Sequence, residues 1–316
     1  MRLAMAMEAG AVLDGSACLI NPPAQTDLAP FVGHEISILH HTMPDAELWT
    51  RRGHALCSRI AAQTAIVFIP RAKEAARDVI CQAQSGAKRV VVDGAKTDGV
   101  DALLKEVKAR CPLLGQVSKA HGKTFWFESP SPFGDWQARP REVAGFVIPP
   151  GTFSADGIDP GSRLLVECLP ALSGLVADLG AGWGYLSDAA LGRSKSIQEL
   201  HAVEANAIAL DAAQANVTDP RARFHWADAR SITLPAPCDH VIMNPPFHSG
   251  RKAEPDLGQA FIQAAARLLR PGGGLWLVAN RHLPYEATLK AHFTQTQDIG
   301  GNSRYKVLHA TRGRPR

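Results

Sequence analysis

The sequence predicts an α/β protein of two tandem Rossmann-like domains, the N-terminal one a degenerate copy of the C-terminal one. Three observations predict it. The chain has 316 residues, beyond the size at which a single core usually stops growing. From Gly151 onward, short apolar runs alternate with segments of helical spacing, the pattern of a doubly wound parallel sheet. The first half repeats that rhythm more faintly.

In the second half, strands are expected at Leu175 to Ala177, Leu200 to Val203, Arg223 to Trp226, His240 to Met243 and Leu275 to Ala279. Helices are expected at Tyr185 to Leu191, Ile208 to Ala215 and Gln259 to Leu269. A further helix begins in "GIDPGSRLLVECL", where Asp159 can cap the free amides and Pro160 takes the first helical position. Its apolar face is Leu164, Leu165 and Cys168. In the first half, "TAIVFIPRAKEAARDVICQAQSGAKRVVVDG" reads as strand, loop, helix, turn and strand. Between the halves, "ESPSPFGDWQARPREVAGFVIPPG" is rich in Pro and Gly. The expected division is therefore a degenerate domain over residues 1–130, a linker over 131–145 and a working domain over 146–316.

Composition excludes several classes. The net charge of +4 is mild and its basic residues are spread among acids, so an anionic partner is permitted without being required. Arg312, Arg314 and Arg316 form a small basic tail, readable as a solvated terminus or as an RNA contact. Cys18, Cys57, Cys81, Cys111, Cys168 and Cys238 stand singly, without metal-ligand or redox spacing, and read as buried thiols in a reducing compartment. His34, His40, His41 and His54 lack acidic or thiol partners at ligand spacing, so no metal is expected. No apolar run approaches ~18 residues, and Glu8 interrupts any signal-like start. A cytoplasmic protein without membrane contact is expected, as a monomer.

One short pattern occurs twice, as "LINPPA" (Leu19 to Ala24) and "IMNPPF" (Ile242 to Phe247). The first follows the opening strand of its half, where the second half carries a glycine-rich loop, and it lacks an aromatic after the prolines. It reads as a turn in which Pro22 and Pro23 end a strand. When the halves are aligned, Ile69, Pro70 and Arg71 fall where the second half has its Asn-Pro-Pro-Phe. The second copy is the one placed for chemistry.

"VADLGAGWGYLSDAAL" sets Asp178, Gly180, Gly182 and Gly184 between a strand and a helix, where glycines admit a ligand close to the backbone. Glu204 ends the next strand about twenty residues on, where an acid can accept from a ribose diol. Asp228 ends the third strand and can accept from an adenine amino group. Each acid singly can equally be a helix cap or solvated loop charge. Together they describe a pocket for an adenosine with a charged tail, which NAD would also satisfy. The fourth strand separates the two. Its prolines stiffen the turn so that the Asn244 side-chain oxygen and the Pro245 carbonyl can aim at one spot, a pair suited to a planar exocyclic NH2. Phe247 can stack on the flat group that bears it.

At these residues the chain resembles class I S-adenosylmethionine-dependent methyltransferases, and within them the amino-methylating group with Asn-Pro-Pro-aromatic signatures. "GTFSADGIDPGSRLL", "NPPFHSG", "VANRHLPYEATLKAHF" and "RYKVLHA" look like the bacterial ribosomal RNA guanine-N2 methyltransferases of the small-subunit methyltransferase C type and its large-subunit relative. "TAIVFIPRAKEAA" and "KTDGVDALL" resemble that family's inactive N-terminal half. The loop departs from the family at Ala181 and Trp183, where smaller or sulfur-bearing residues are common. Trp183 can pack over the cofactor or merely cover the loop.

The resemblance implies S-adenosylmethionine held by Asp178, Gly180, Gly182, Gly184, Glu204, Asp228 and Asn244. It implies catalysis by Asn244, Pro245 and Phe247, and a base set against Phe153, Pro246, Phe247 and His248; Phe153 reads equally as core packing. The expected reaction is methylation of a guanine N2 amino group in ribosomal RNA or a ribosomal subunit, most simply 16S rRNA. The 23S rRNA, an adenine N6 or a glutamine amide are alternative substrates. A silent RNA-binding assembly factor is the alternative of another class. Arg51, Arg52, Lys73, Arg77, Lys88, Arg89, Arg139, Arg141, Arg251 and Lys252 are candidate phosphate grips, each also readable as solvated charge. Phe125 and Trp126 read as strand core.

Overall fold

A computed structural model describes residues 2–246, 248, 249, 252, 253 and 255–313. The chain divides into two compact units, Met1–Pro140 and Arg141–Arg316. The residues expected as a linker fall on both sides of that division. Phe133 and Trp136 are buried in the first unit, with ring centroids 4.5 Å apart, while Arg141 opens the first strand of the second.

The first unit contains α1 (Arg2–Glu8), β1 (Ser16–Ile20), β2 (Glu35–Leu39), α2 (Met43–Arg51), β3 (Ala55–Leu56) and β4 (Ala62–Phe68). It continues with α3 (Lys73–Gly86), β5 (Ala87–Ala95), α4 (Val100–Lys108), β6 (Gly115–Lys119) and β7 (Gly122–Glu128). The sheet order is β3-β2-β1-β4-β5-β7-β6. The central strands carry Ala65, Ile66 and Val67 beside Val90, Val91 and Val92, all fully buried, because both faces of a parallel sheet are covered. Helix α3 covers one face with Ala76, Val79, Ile80 and Ala83, a helical stripe. Phe125 and Trp126 lie in β7 and are buried, which fits strand core.

The second unit opens with the hairpin β8 (Arg141–Val143) and β9 (Phe146–Ile148), followed by α5 (Pro160–Cys168), β10 (Gly174–Leu179), α6 (Tyr185–Arg193), β11 (Ile197–Glu204) and α7 (Ala207–Asn216). Then come β12 (Ala222–Trp226), β13 (Cys238–Met243), a second small hairpin of β14 (His248–Ser249) and β15 (Lys252–Ala253), and α8 (Pro255–Leu268). The unit ends with β16 (Leu269–Asn280), α9 (Glu286–His292), β17 (Gln295–Gly301) and β18 (Tyr305–Thr311). Its order, β12-β11-β10-β13-β16-β18-β17, repeats that of the first unit strand for strand. Asp159 caps α5 by accepting the Ser162 amide at 2.8 Å, with Pro160 in the first turn; such a cap is worth about 1 kcal/mol. Leu165 is fully buried and Leu164 and Cys168 pack beside it. The antiparallel pair β17 and β18 extends the sheet beyond the five strands visible as apolar runs.

The matched topology settles where the two Asn-Pro-Pro copies stand. The first follows β1, the counterpart of β10, and Ile69 follows β4, the counterpart of β13. Asn21 has φ +54°, a conformation that asparagine tolerates better than most residues. Its amide donates to the Leu39 carbonyl at 2.8 Å and its Oδ1 accepts from the His41 amide at 3.2 Å. The Pro22 carbonyl is occupied by the Trp49 indole N–H at 3.1 Å. Both acceptors of this copy are consumed in holding a turn.

Several basic side chains of the first unit are committed to neighbouring acids. Arg51 pairs with Glu47, Lys73 and Arg77 with Glu106, and Arg89 with Glu128. Arg52 lies over the Trp49 ring and Lys88 is exposed. Arg139, near the end of the first unit, is exposed, and Arg141 in the second pairs with Asp156. Arg312 is no frayed residue: its guanidinium donates to the Leu269 and Arg267 carbonyls. Arg251, Arg314, Arg316 and the Lys252 side chain lie outside the described residues. Cys18 and Cys57, 39 residues apart in sequence, bring their sulfurs to 3.7 Å. Cys57, Cys111 and Cys168 are only half-buried. No helix among the described residues is long and apolar enough to cross a membrane.

Asn21→Ala is expected to cost about 1–2 kcal/mol through the strained φ and the lost bond to His41, and Asn21→Gly less. Denaturant midpoints of the two variants check this. Equal losses in both would contradict the left-handed turn as the residue's role.

Candidate active site

The site lies at the C-terminal ends of β10, β11, β12 and β13. Leu179 ends β10, and Gly180, Gly182 and Gly184 follow with φ of +75°, +58° and +97°. The last two are required for different reasons. A Cβ on Gly184 would sit 2.7 Å from Val217, so this glycine lets α6 pack on α7. A Cβ on Gly182 would meet nothing within 4 Å, so its backbone faces open space. A cleft here is lined by the loop from Gly180 to Trp183 together with Phe153, Asp159, Ser162 and Asn244.

The three strand-end acids occupy distinct surroundings. Asp178 is fully buried; its Oδ2 accepts from the Ser187 hydroxyl at 2.7 Å, and its Oδ1 has no donor among the described residues. Burial pushes its carboxyl up to about 7. Glu204 is pushed up by burial as well, although it accepts from the Gly182 amide at 2.8 Å and the Asn206 amide at 2.7 Å. Asp228 is engaged by Arg230 through its amide at 2.9 Å and its guanidinium at 2.7 Å. Burial raises the Asp228 carboxyl, but the Arg230 hydrogen bonds outweigh it and hold the group below its usual range. Asp178, Gly184, Glu204 and Asp228 are not among the residues lining the cleft; Glu204 reaches it through Gly182. A carboxylate offers about four lone-pair sites; Glu204 uses two and retains acceptor capacity, whereas four contacts from Arg230 crowd Asp228.

Asn244 follows β13 directly. Its Nδ2 donates to Asp159 Oδ2 at 2.9 Å and to Ser162 Oγ at 2.8 Å. The two N–H bonds of the amide are thereby used, and a carboxylate can face only the NH2 end. The amide is therefore fixed with Oδ1 as its remaining acceptor. Pro245 is buried and Pro246 half-buried. Phe247 and the His248 side chain lie outside the described residues. Asp159 was visible in the sequence only as a helix cap, and Ser162 carried no signal; nothing local indicates a bond to a residue 85 positions from Asp159.

Two aromatic residues left open by the sequence are placed. Phe153 is 54% exposed at the cleft, which excludes core packing. Trp183 borders the cleft but is only 4% exposed, its side chain packing with Phe146, Ile148 and Ala212. No group of three His, Cys, Asp or Glu among the described residues is placed to hold a metal ion.

A family model described as the methyltransferase small domain matches residues 144–309. A ribosomal RNA small subunit methyltransferase C of Hahella chejuensis is 31% identical, with 95% of each chain covered. Its namesake in Shewanella pealeana is also 31% identical, over 85% of this chain and 84% of the relative. The fold matches a solved T. thermophilus structure, described as a 16S rRNA N2 G1207 methyltransferase in complex with AdoMet and guanosine. That match has a TM-score of 0.78 at 24% identity and covers 98% of this chain and 91% of that one. The chain belongs to the ribosomal RNA small subunit methyltransferase C family.

Proposed function

We propose that this protein transfers a methyl group from S-adenosylmethionine to the exocyclic N2 amino group of a guanine in 16S ribosomal RNA, acting as a cytoplasmic monomer. The observation that carries the reading is the Asn244 amide, which lines the cleft and spends both N–H bonds on Asp159 and Ser162, leaving Oδ1 as its acceptor. The names of its relatives support RNA of the small subunit as substrate, and the description of the T. thermophilus protein supports guanine N2.

The residues present fit the cofactor. Gly182 leaves open space above the backbone, and Asp178 Oδ1 is a buried acceptor without a donor among the described residues. Gly180, Gly182 and Gly184 would hold the charged tail, Glu204 the ribose hydroxyls and Asp228 the adenine amino group. S-adenosylmethionine supplies a methyl group on a sulfonium, which needs no further activation of its leaving group. Asn244 Oδ1 and the Pro245 carbonyl accept from the guanine amino group, withdraw its nitrogen from conjugation and aim its lone pair. Such positioning can supply ~7–11 kcal/mol. The amino group becomes acidic as it is methylated and loses its proton to Asn244 Oδ1, a carbonyl or water, so no strong base is needed. Phe153, Pro246, Phe247 and His248 are assigned to the base. The N-terminal unit is assigned to RNA backbone; with four of its seven candidate cations paired with acids, that grip rests on Arg52, Lys88 and Arg139 and weakens with salt.

Tritiated S-adenosylmethionine incubated with unmodified 30S and 50S particles and their naked RNAs is expected to label N2-methylguanosine in 16S rRNA. Asn244→Ala is expected to lower that label by about 100-fold. Label in N6-methyladenosine would overturn the base, label in 23S rRNA the subunit, and an active Asn244→Ala the mechanism.

Asp178 yields a pH prediction. Its folded-state pKa lies above the unfolded value, so the folded state binds more protons between pH ~4 and ~7 and loses stability as pH rises through that window. Asp178→Asn removes this dependence. The variant's melting temperature relative to wild type should rise from pH 4 to pH 8, while its cofactor affinity falls. A constant difference across that range would contradict the buried carboxyl's role.

A further inference from the structure

Trp183 stands between two of the loop glycines, and its polar atoms reach away from them. The indole N–H donates to the Phe153 carbonyl at 3.1 Å. The ring packs against Phe146 and Tyr185, with centroids at 5.1 and 5.9 Å. Its own backbone carbonyl accepts from Asn216 Nδ2 at 2.9 Å. Asn216, the last residue of α7, also donates to the Val147 carbonyl at 3.0 Å and accepts from the Val147 amide at 2.8 Å. The glycine loop, the end of α7 and strand β9 are thus joined by two side chains.

The segment that carries Phe153 is held from its other end too. The Thr152 hydroxyl donates to the Pro149 carbonyl at 2.8 Å, and Ser154, at φ +53°, donates from its hydroxyl to the Gly157 carbonyl at 2.5 Å. Phe153, between these two anchored residues, keeps its large apolar side chain 54% exposed. The phenyl ring lines the same cleft as Asn244. A fixed, exposed aromatic face beside an amide acceptor matches what a flat base requires: stacking on one side and hydrogen bonding at its edge.

We infer that Trp183 is a positioning residue for the substrate base, anchoring Phe153 so that its ring forms the stacking face for the guanine presented to Asn244. The inference rests on the guanine reading. It assigns Trp183, a residue of the cofactor loop, to substrate placement and leaves cofactor affinity to the glycines and acids.

The test is a double-mutant cycle on Trp183→Phe and Phe153→Ala, measured with unmodified 30S particles. Trp183→Phe keeps an aromatic ring and removes the N–H; Phe153→Ala removes an exposed ring and keeps the carbonyl. Trp183→Phe is expected to raise the KM for the particle by roughly 3- to 10-fold, the worth of one hydrogen bond. The kcat and the cofactor Kd should stay within about twofold. In the Phe153→Ala background the same change should add nothing, because its effect passes through the ring. Equal increases in both backgrounds, a weakened cofactor Kd, or an unchanged KM would each overturn the inference. Thermal melts of each variant separate these results from unfolding. If wild type itself labels no guanine, the functional reading fails and this inference with it; an active wild type with an additive cycle sinks the inference alone.

Discussion

The bonds from Asn244 Nδ2 to Asp159 Oδ2 and Ser162 Oγ constrain everything else at the site. An amide can turn over and exchange donor for acceptor, and only its surroundings decide which end faces a ligand. Here the N-terminus of α5 decides it. Asp159 caps its own helix and accepts from the end of β13 with the same oxygen. The helix cap, worth about 1 kcal/mol on its own, also fixes the chemistry of the fourth strand. The prolines that follow remove backbone donors from the turn, so acceptors dominate the spot where an amino group would lie.

The two units show what happens when that constraint is absent. They share a strand order and buried parallel cores, yet the first has Ile69 after the strand equivalent to β13. Its own Asn-Pro-Pro occurs one position away in the topology, after β1. There the asparagine oxygen and the proline carbonyl both have donors inside the unit. The fold tolerates either arrangement, so topology alone does not carry activity; the difference lies in which acceptors remain unclaimed.

Much of this was legible in the sequence, for local reasons. Glycines between a strand and a helix, acids at two strand ends, a Pro-initiated helix and Asn-Pro-Pro after an apolar run are all signals spanning a few residues. What escaped were pairings set by tertiary packing. The Asn244 to Asp159 bond crosses 85 residues, and Asp159 looked fully explained as a cap. Strand β17, "QTQDIGG", lacks an apolar run because it is an edge strand with exposed positions, and Lys306 and His309 interrupt the run in the interior strand β18. The acids that pair with Arg77 and Arg89 lie 29 and 39 residues away, so candidate grips read as free charges. The Trp183 indole gave no hint of its bond to Phe153, since a bulky residue in a glycine loop suits several roles.

The most direct test of the account is the kcat for methyl transfer by Asp159→Ser at saturating cofactor and 30S particle. Serine is a good helix cap, so α5 should persist, but its short hydroxyl withdraws the carboxylate that orients Asn244. The account predicts a fall of about 10- to 100-fold in kcat with the melting temperature and cofactor Kd little changed. A kcat at the wild-type level would contradict it, because the Asn244 amide would then need no carboxylate to face the substrate.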